Sequence, residues 1–169
     1  MRIGRMLVPP LLALVAASAC RDGRAAAPAA LPGSAPSLDA LGKGVVEGFV
    51  RGDTARLKGY VLSREEYRDV VWPRLQIDTT TGVGFEWSWR DNQIRGGRAF
   101  GRYLNAMKEM PLTAVETRCA DEPRRFEGMT VLPGCRVVIR DGSGKTGEMR
   151  LFKSVVVTGG GYKIFRYDD

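Results

Sequence analysis

The chain has 169 residues, with 26 lysines and arginines against 19 aspartates and glutamates, a net charge of +7. It has no histidine and three cysteines, which removes the commonest general base near neutral pH, the serine and cysteine triads built on it, and the usual ligand sets for zinc. Apart from Arg124-Arg125 the basic residues are interspersed with acidic ones, so the charge reads as a solvated basic surface and not as a nucleic-acid footprint.

At the amino terminus Arg2 and Arg5 precede an apolar run, residues 6 to 17, that stops at AASAC. This pattern is that of a secretory signal over residues 1 to 19. The run is shorter than the roughly 20 apolar residues a membrane crossing requires, and Pro9 and Pro10 would interrupt a spanning helix. Two processing routes fit. Ala17-Ser18-Ala19 satisfies the small-x-small rule of ordinary cleavage, and the same residues before Cys20 resemble the lipobox of bacterial lipoproteins, with Ala17 where a larger aliphatic residue is usual. The lipobox reading makes Cys20 the lipidated first residue of the mature chain, tethered to the bacterial envelope. Arg21 in the next position is compatible with the outer membrane. Ordinary cleavage would instead give a soluble secreted or periplasmic protein.

Residues 21 to 36, RDGRAAAPAALPGSAP, have little to bury and read as a flexible linker that holds a domain off the membrane. Loss of Arg2 and Arg5 with the leader leaves 24 basic and 19 acidic side chains, a net charge of +5. The remaining residues, 37 to 169, are about 130 in number, enough for one domain with its own core. With Cys20 lipidated, Cys119 and Cys135 form an even pair in an oxidising compartment and are expected to bridge, closing a loop worth about 3 kcal/mol. Two separate buried thiols are the alternative.

Ser37 begins the domain as a helix cap, and Leu38, Leu41, Val45 and Phe49 follow at helical spacing until Gly52. Asp53 can cap a short second helix running through Leu57 to Tyr60. Ser63 and Glu66 have the spacing of a capping box, starting a third helix with Tyr67, Val70 and Val71 that should stop near Trp72, before Pro73. Residues 73 to 84 look irregular. FEWSWRDNQIRGGRAFGRYLNAM, residues 85 to 107, then reads as one helix whose inward line is Phe85, Trp89, Asn92, Gly96, Ala99, Tyr103 and Met107. Gly96 and Gly97 each weaken it by about 1 kcal/mol relative to alanine, a cost explained by a kink or by close approach to a sheet or ligand. Trp87 falls on a different face and, like Trp72, is expected to pack under the irregular stretch.

Beyond Leu112 the pattern becomes β: LTAVETRC, RFEGMTVL, CRVVIR, EMRLFKSVVV and YKIFRY, joined by links too short for crossover helices and therefore antiparallel. One link, GSGKTG, looks like a phosphate loop. A Walker loop has glycine five residues before the glycine of its GK, where this chain has Ile139, and both glycine motifs require a following helix whose amides meet the phosphate. EMRLFKSVVV alternates and is rich in β-branched residues, so the link is a hairpin turn.

Helices followed by antiparallel strands resemble the α+β cone of the nuclear-transport-factor-2-like and ketosteroid-isomerase-like superfamily. The helix with a tryptophan and a glycine before Arg98, the paired cysteines and the closing YKIFRYDD are similar to a group of bacterial envelope proteins of that fold, over about residues 38 to 169. The resemblance implies helices over a strongly bent sheet with a pocket between them. Trp89 and Tyr103 would then be pocket walls, Asn92 a hydrogen-bonding group, and Arg98 or Arg102 a charge for an anionic ligand. Each has a plainer reading: core packing for Trp89 and Tyr103, solvated or paired charges for the arginines, and a bond to the 73 to 84 backbone for Asn92. The isomerase relatives use an acidic base facing a tyrosine or other proton donor. Glu47, Asp69, Glu86 and Asp91 are available, and none pairs with a tyrosine at a telling spacing. No cofactor or metal is expected. The leading expectation is therefore a non-catalytic envelope domain that binds a small apolar or anionic molecule, or a protein partner. A cone-fold isomerase or hydrolase using a pocket carboxylate, and an adaptor with a filled pocket, are the alternatives.

Overall fold

The computed structural model describes residues 29–75 and 83–168. The leader, Cys20 and most of the expected linker lie outside them, as do residues 76–82 of the irregular stretch. The described chain is α+β, with helices followed by antiparallel sheets.

Helix α1 (Leu38–Arg51) starts where the Ser37 hydroxyl accepts the Ala40 amide and ends at Gly52, whose φ of 66° lets its own amide turn back to Gly48 and Phe49. Helix α2 (Thr54–Gly59) is capped by Asp53. The last part of the expected linker is packed and not free: Leu31 is buried, and Ala35 exchanges two backbone hydrogen bonds of 2.9 Å with Tyr162.

Helix α3 (Arg64–Glu66) carries both halves of the capping box, and the helical stretch it opens ends near Trp72 as expected, two residues on at Arg74. It widens into a π turn, Tyr67–Val71, and tightens into a 3-10 turn, Trp72–Arg74. Pro73 is accommodated because it falls at the start of that last turn, where a missing amide costs nothing. Helix α4 (Phe85–Met107) runs unbroken through the glycine pair. Its inward line is as the periodicity predicts: Gly96, Ala99 and Met107 are buried, and Phe85, Trp89, Asn92 and Tyr103 are partly so.

The β region has seven strands where the sequence pattern suggests five. RFEGMTVL folds back on itself as β2 (Arg124–Phe126) and β3 (Met129–Pro133), because Gly128 takes a φ of 66°. EMRLFKSVVV divides into β5 (Thr146–Met149) and β6 (Phe152–Thr158), because Arg150 and Leu151 leave the ladder. With β1 (Thr113–Cys119), β4 (Cys135–Arg140) and β7 (Gly161–Tyr167), they form a three-stranded sheet β1-β4-β5 and a four-stranded sheet β2-β3-β6-β7. All the strand pairs are antiparallel. β3 passes into β4 at Gly134 (φ 63°), and β5 passes into β6 at Arg150-Leu151, so both arms of one long hairpin move from one sheet to the other. The outer edge of β7 is covered by single bridges from Ala35 and Val61, leaving little of it open to pairing.

The four-stranded sheet is apolar on both faces, which explains the unbroken run Val155-Val156-Val157. Val155, Val157 and Ile164 join α1, α2 and the second half of α4 in one core around Phe49. Val156, Met129, Val131 and Phe165 join Leu31, Tyr67, Val71 and Trp89 in a second. Cys119 and Cys135 stand opposite each other on β1 and β4 and are disulfide-bonded.

The GSGKTG link is a hairpin turn between β4 and β5. The Asp141 carboxylate accepts the amides of Ser143 (2.9 Å) and Lys145 (3.0 Å) and the Ser143 hydroxyl (2.6 Å). Two amides that a phosphate would require are thus already held by this chain's own acid.

Candidate functional site

Helix α4 crosses β7 at Gly96, where an added Cβ would lie 3.5 Å from Cβ of Arg166, ordinary contact distance. Gly96 thus lies against the sheet, at a distance that an alanine would also fit. An added Cβ at Gly97 would meet nothing within 4 Å. Helix and strand touch at one glycine and leave open space beside the next.

That space is a groove of about 320 Å³. Along α4 it is lined by Trp89, Asn92, Gln93, the two glycines and Phe100. Its other wall is the link from Lys58 to Arg64, through Val61 and Leu62. Its floor is Phe165, Arg166 and Tyr167. The positive side chains Lys58, Arg64 and Arg166 line it together with aromatic surface, and no carboxylate is among its described walls. Arg64 is bound to Glu86 and lies over the Phe85 ring. Nη1 of Arg166 is buried without a hydrogen-bond partner, and among the described residues no carboxylate pairs with this guanidinium.

Of the side chains singled out from sequence, Trp89 and Asn92 reach this groove. Trp89 also packs against Tyr67, which gathers Trp72, Phe85 and Phe165 around it, all with ring centroids within 6.1 Å. The Tyr67 hydroxyl is 2.7 Å from Ser88 Oγ, with the Asn92 side chain nearby. Burial pushes this hydroxyl above its ordinary pKa, against the opposing effect of those two side chains, and it stays neutral at physiological pH. The amide of Asn92 lines the groove with this neutral phenol behind it.

The other three stand apart. Tyr103 packs edge-on against Phe49 and donates to the Arg150 carbonyl at 2.7 Å. Arg102 donates to the Asp168 carbonyl and lies over the Tyr103 ring. Arg98 is exposed on the outer side of α4, in line with Trp87, which is 61% exposed; most of the stretch under which Trp87 was expected to pack lies outside the described residues. Trp72, in contrast, is packed against Tyr67 and Phe85. The four carboxylates considered for catalysis are each paired with an arginine: Glu47 with Arg56, Asp69 with Arg68, Glu86 with Arg64 and Asp91 with Arg95.

Sequence reading missed Lys58, Phe100, Phe165 and Arg166. Phe100 had a signal, its spacing of four from Gly96 on the inward face. Arg166 had none, because a strand arginine usually faces solvent.

A larger cleft of about 550 Å³ lies where the strands change sheets. Its charges are mixed, Asp121 and Asp168 facing Arg124, Arg150 and Lys153, so much of its field is cancelled locally. Among the described residues no cluster of acidic or cysteine side chains is arranged to hold a metal, and no helix is long and apolar enough to cross a membrane.

No protein-family profile matches the chain, and no curated protein or solved structure is significantly similar to it.

Proposed function

We propose that this protein is a non-catalytic domain, tethered to the bacterial envelope through Cys20, that holds a small molecule in the groove between α4 and β7. The observation that carries this reading is the pairing of aromatic walls with a glycine window that leaves the groove open. A pocket of this size, mostly apolar with a few convergent polar groups, is the usual form of a small-molecule site. The removal of all four catalytic candidates into arginine pairs supports binding over chemistry. The passage of both hairpin arms between sheets at Gly134 and Arg150-Leu151 supports the strongly bent sheet of the cone-like superfamily.

The test is native mass spectrometry of protein isolated gently from envelope extract. A mature chain beginning at a lipid-modified Cys20 with a retained small molecule is expected. A chain beginning at another residue would overturn the tether, and a bare domain after gentle isolation would overturn the binding role.

A further inference from the structure

We infer that the ligand class of this groove is an amphipathic anion, a carboxylate or comparable acid on an apolar body, with its charged group received by Arg166 and Lys58. This rests on the reading of the groove as a small-molecule site and adds which molecules enter.

Two independent observations lead to it. The first is the orphaned Nη1 of Arg166, a side chain that is only partly buried and lines the groove. A buried donor without an acceptor is destabilising, more so when charged, and native structures retain few of them without a reason. Arg166 is anchored on β7 beneath Gly96, its Nη1 lacks an acceptor, and no carboxylate on α4 or on the 58 to 64 link lines the groove to balance it. Glu66, the nearby acid of α3, is already bound through both oxygens by Lys163. An anion from outside the chain, entering where Arg166 lines the groove, supplies the missing countercharge. Arginine suits this task because its planar fork meets a carboxylate with two parallel bonds.

The second is the shape of the apolar part. Trp89 and Phe100 are eleven positions apart on α4, which spans about 16 Å of helix axis. Between them the helix presents Gly96 and Gly97, so the groove is longer than any one ring and open along its middle. Such a trough fits an elongated apolar body better than a compact one. Asn92 adds one neutral polar group along the wall.

The experiment uses the full chain and titrates decanoate and decanol, below their aggregation concentrations, by calorimetry. Decanoate is expected to bind at least about tenfold more tightly than decanol, in keeping with a charge-assisted bond. Arg166→Gln should remove that preference by weakening decanoate alone, and Arg166→Lys should restore part of it. Circular dichroism establishes that both variants fold. Lys58→Gln, at an exposed position, gives a second reading of the charge with no folding risk. Gly97→Leu, which extends a side chain over the open space, should weaken both probes while leaving the helix intact. Equal binding of the two probes, both weakened by Gly97→Leu, would overturn the anion assignment and leave the groove as an apolar site. Binding of neither probe would overturn both readings.

Discussion

Lys163 Nζ lies 2.7 Å from each carboxylate oxygen of Glu66, and Glu66 Oε2 also accepts the Ser63 amide at 2.8 Å. One acid therefore closes the capping box of α3 and neutralises a lysine of β7. Both side chains are nearly enclosed, 5% and 12% exposed. Breaking a buried pair from one side leaves an uncompensated charge, so Lys163→Met should destabilise the fold by about 3–5 kcal/mol. Adding Glu66→Gln removes the stranded charge and keeps an acceptor for Ser63, and should recover a large part of the loss. Urea unfolding of the two single variants and the double variant checks this; strictly additive losses would show that the pair is not coupled.

Cys119 and Cys135 face each other across β1 and β4, at the end of the ladder, with a sequence separation of 16. Replacing both by serine should cost about 3 kcal/mol, mainly through the unfolded chain. Thiol titration of the denatured, unreduced protein should find neither of these two sulfurs free.

Helix α1 lies on β1 at Gly42, where an added Cβ would come 1.9 Å from Thr117 Oγ1. The same contact ties Asp39 Oδ1 to the Thr117 amide at 2.7 Å. Gly42→Ala is therefore expected to cost about 1–3 kcal/mol by overpacking, although alanine is the better helix former. Thr117 Oγ1 is itself buried without a partner, so Thr117→Ala should be mild and should relieve Gly42→Ala when combined with it. Thermal unfolding of the pair would reject this if the double variant were less stable than Gly42→Ala alone.

The Asp141 carboxyl is held below the usual aspartate range, first by the Ser143 hydroxyl and further by backbone amides in the turn. A depressed folded pKa means the turn's contribution is fully present above the ordinary aspartate value and is lost as pH falls through the depressed one. An NMR titration should place the Asp141 midpoint below that of an unstructured aspartate. Ser143→Ala should move it upward, and Asp141→Asn should flatten the acid dependence of the turn's amide shifts.

Much of this molecule is local, and what is local is legible. The Ser37, Asp53 and Ser63 caps, the inward line of α4 and the hairpin at Asp141 follow from side chains acting on their own backbone within a few residues. The disulfide is legible for a related reason: with Cys20 set apart by its place beside the leader-like run, two cysteines remain and have one partner each.

The tertiary structure decided what spacing cannot express. Periodicity tells which side of α4 faces inward, yet that side meets different neighbours along its length. Tyr103 meets Phe49 and a backbone carbonyl, Trp89 meets Tyr67, and the space beside Gly97 meets nothing. Arg98 and Arg102 had the right chemistry for an anion and lie outside the groove, while Arg166 entered it because β7 passes under α4. The physical reason is that burial and charge pairing depend on which surfaces come together, and a strand arginine has the same local pattern whether it points into water or under a helix.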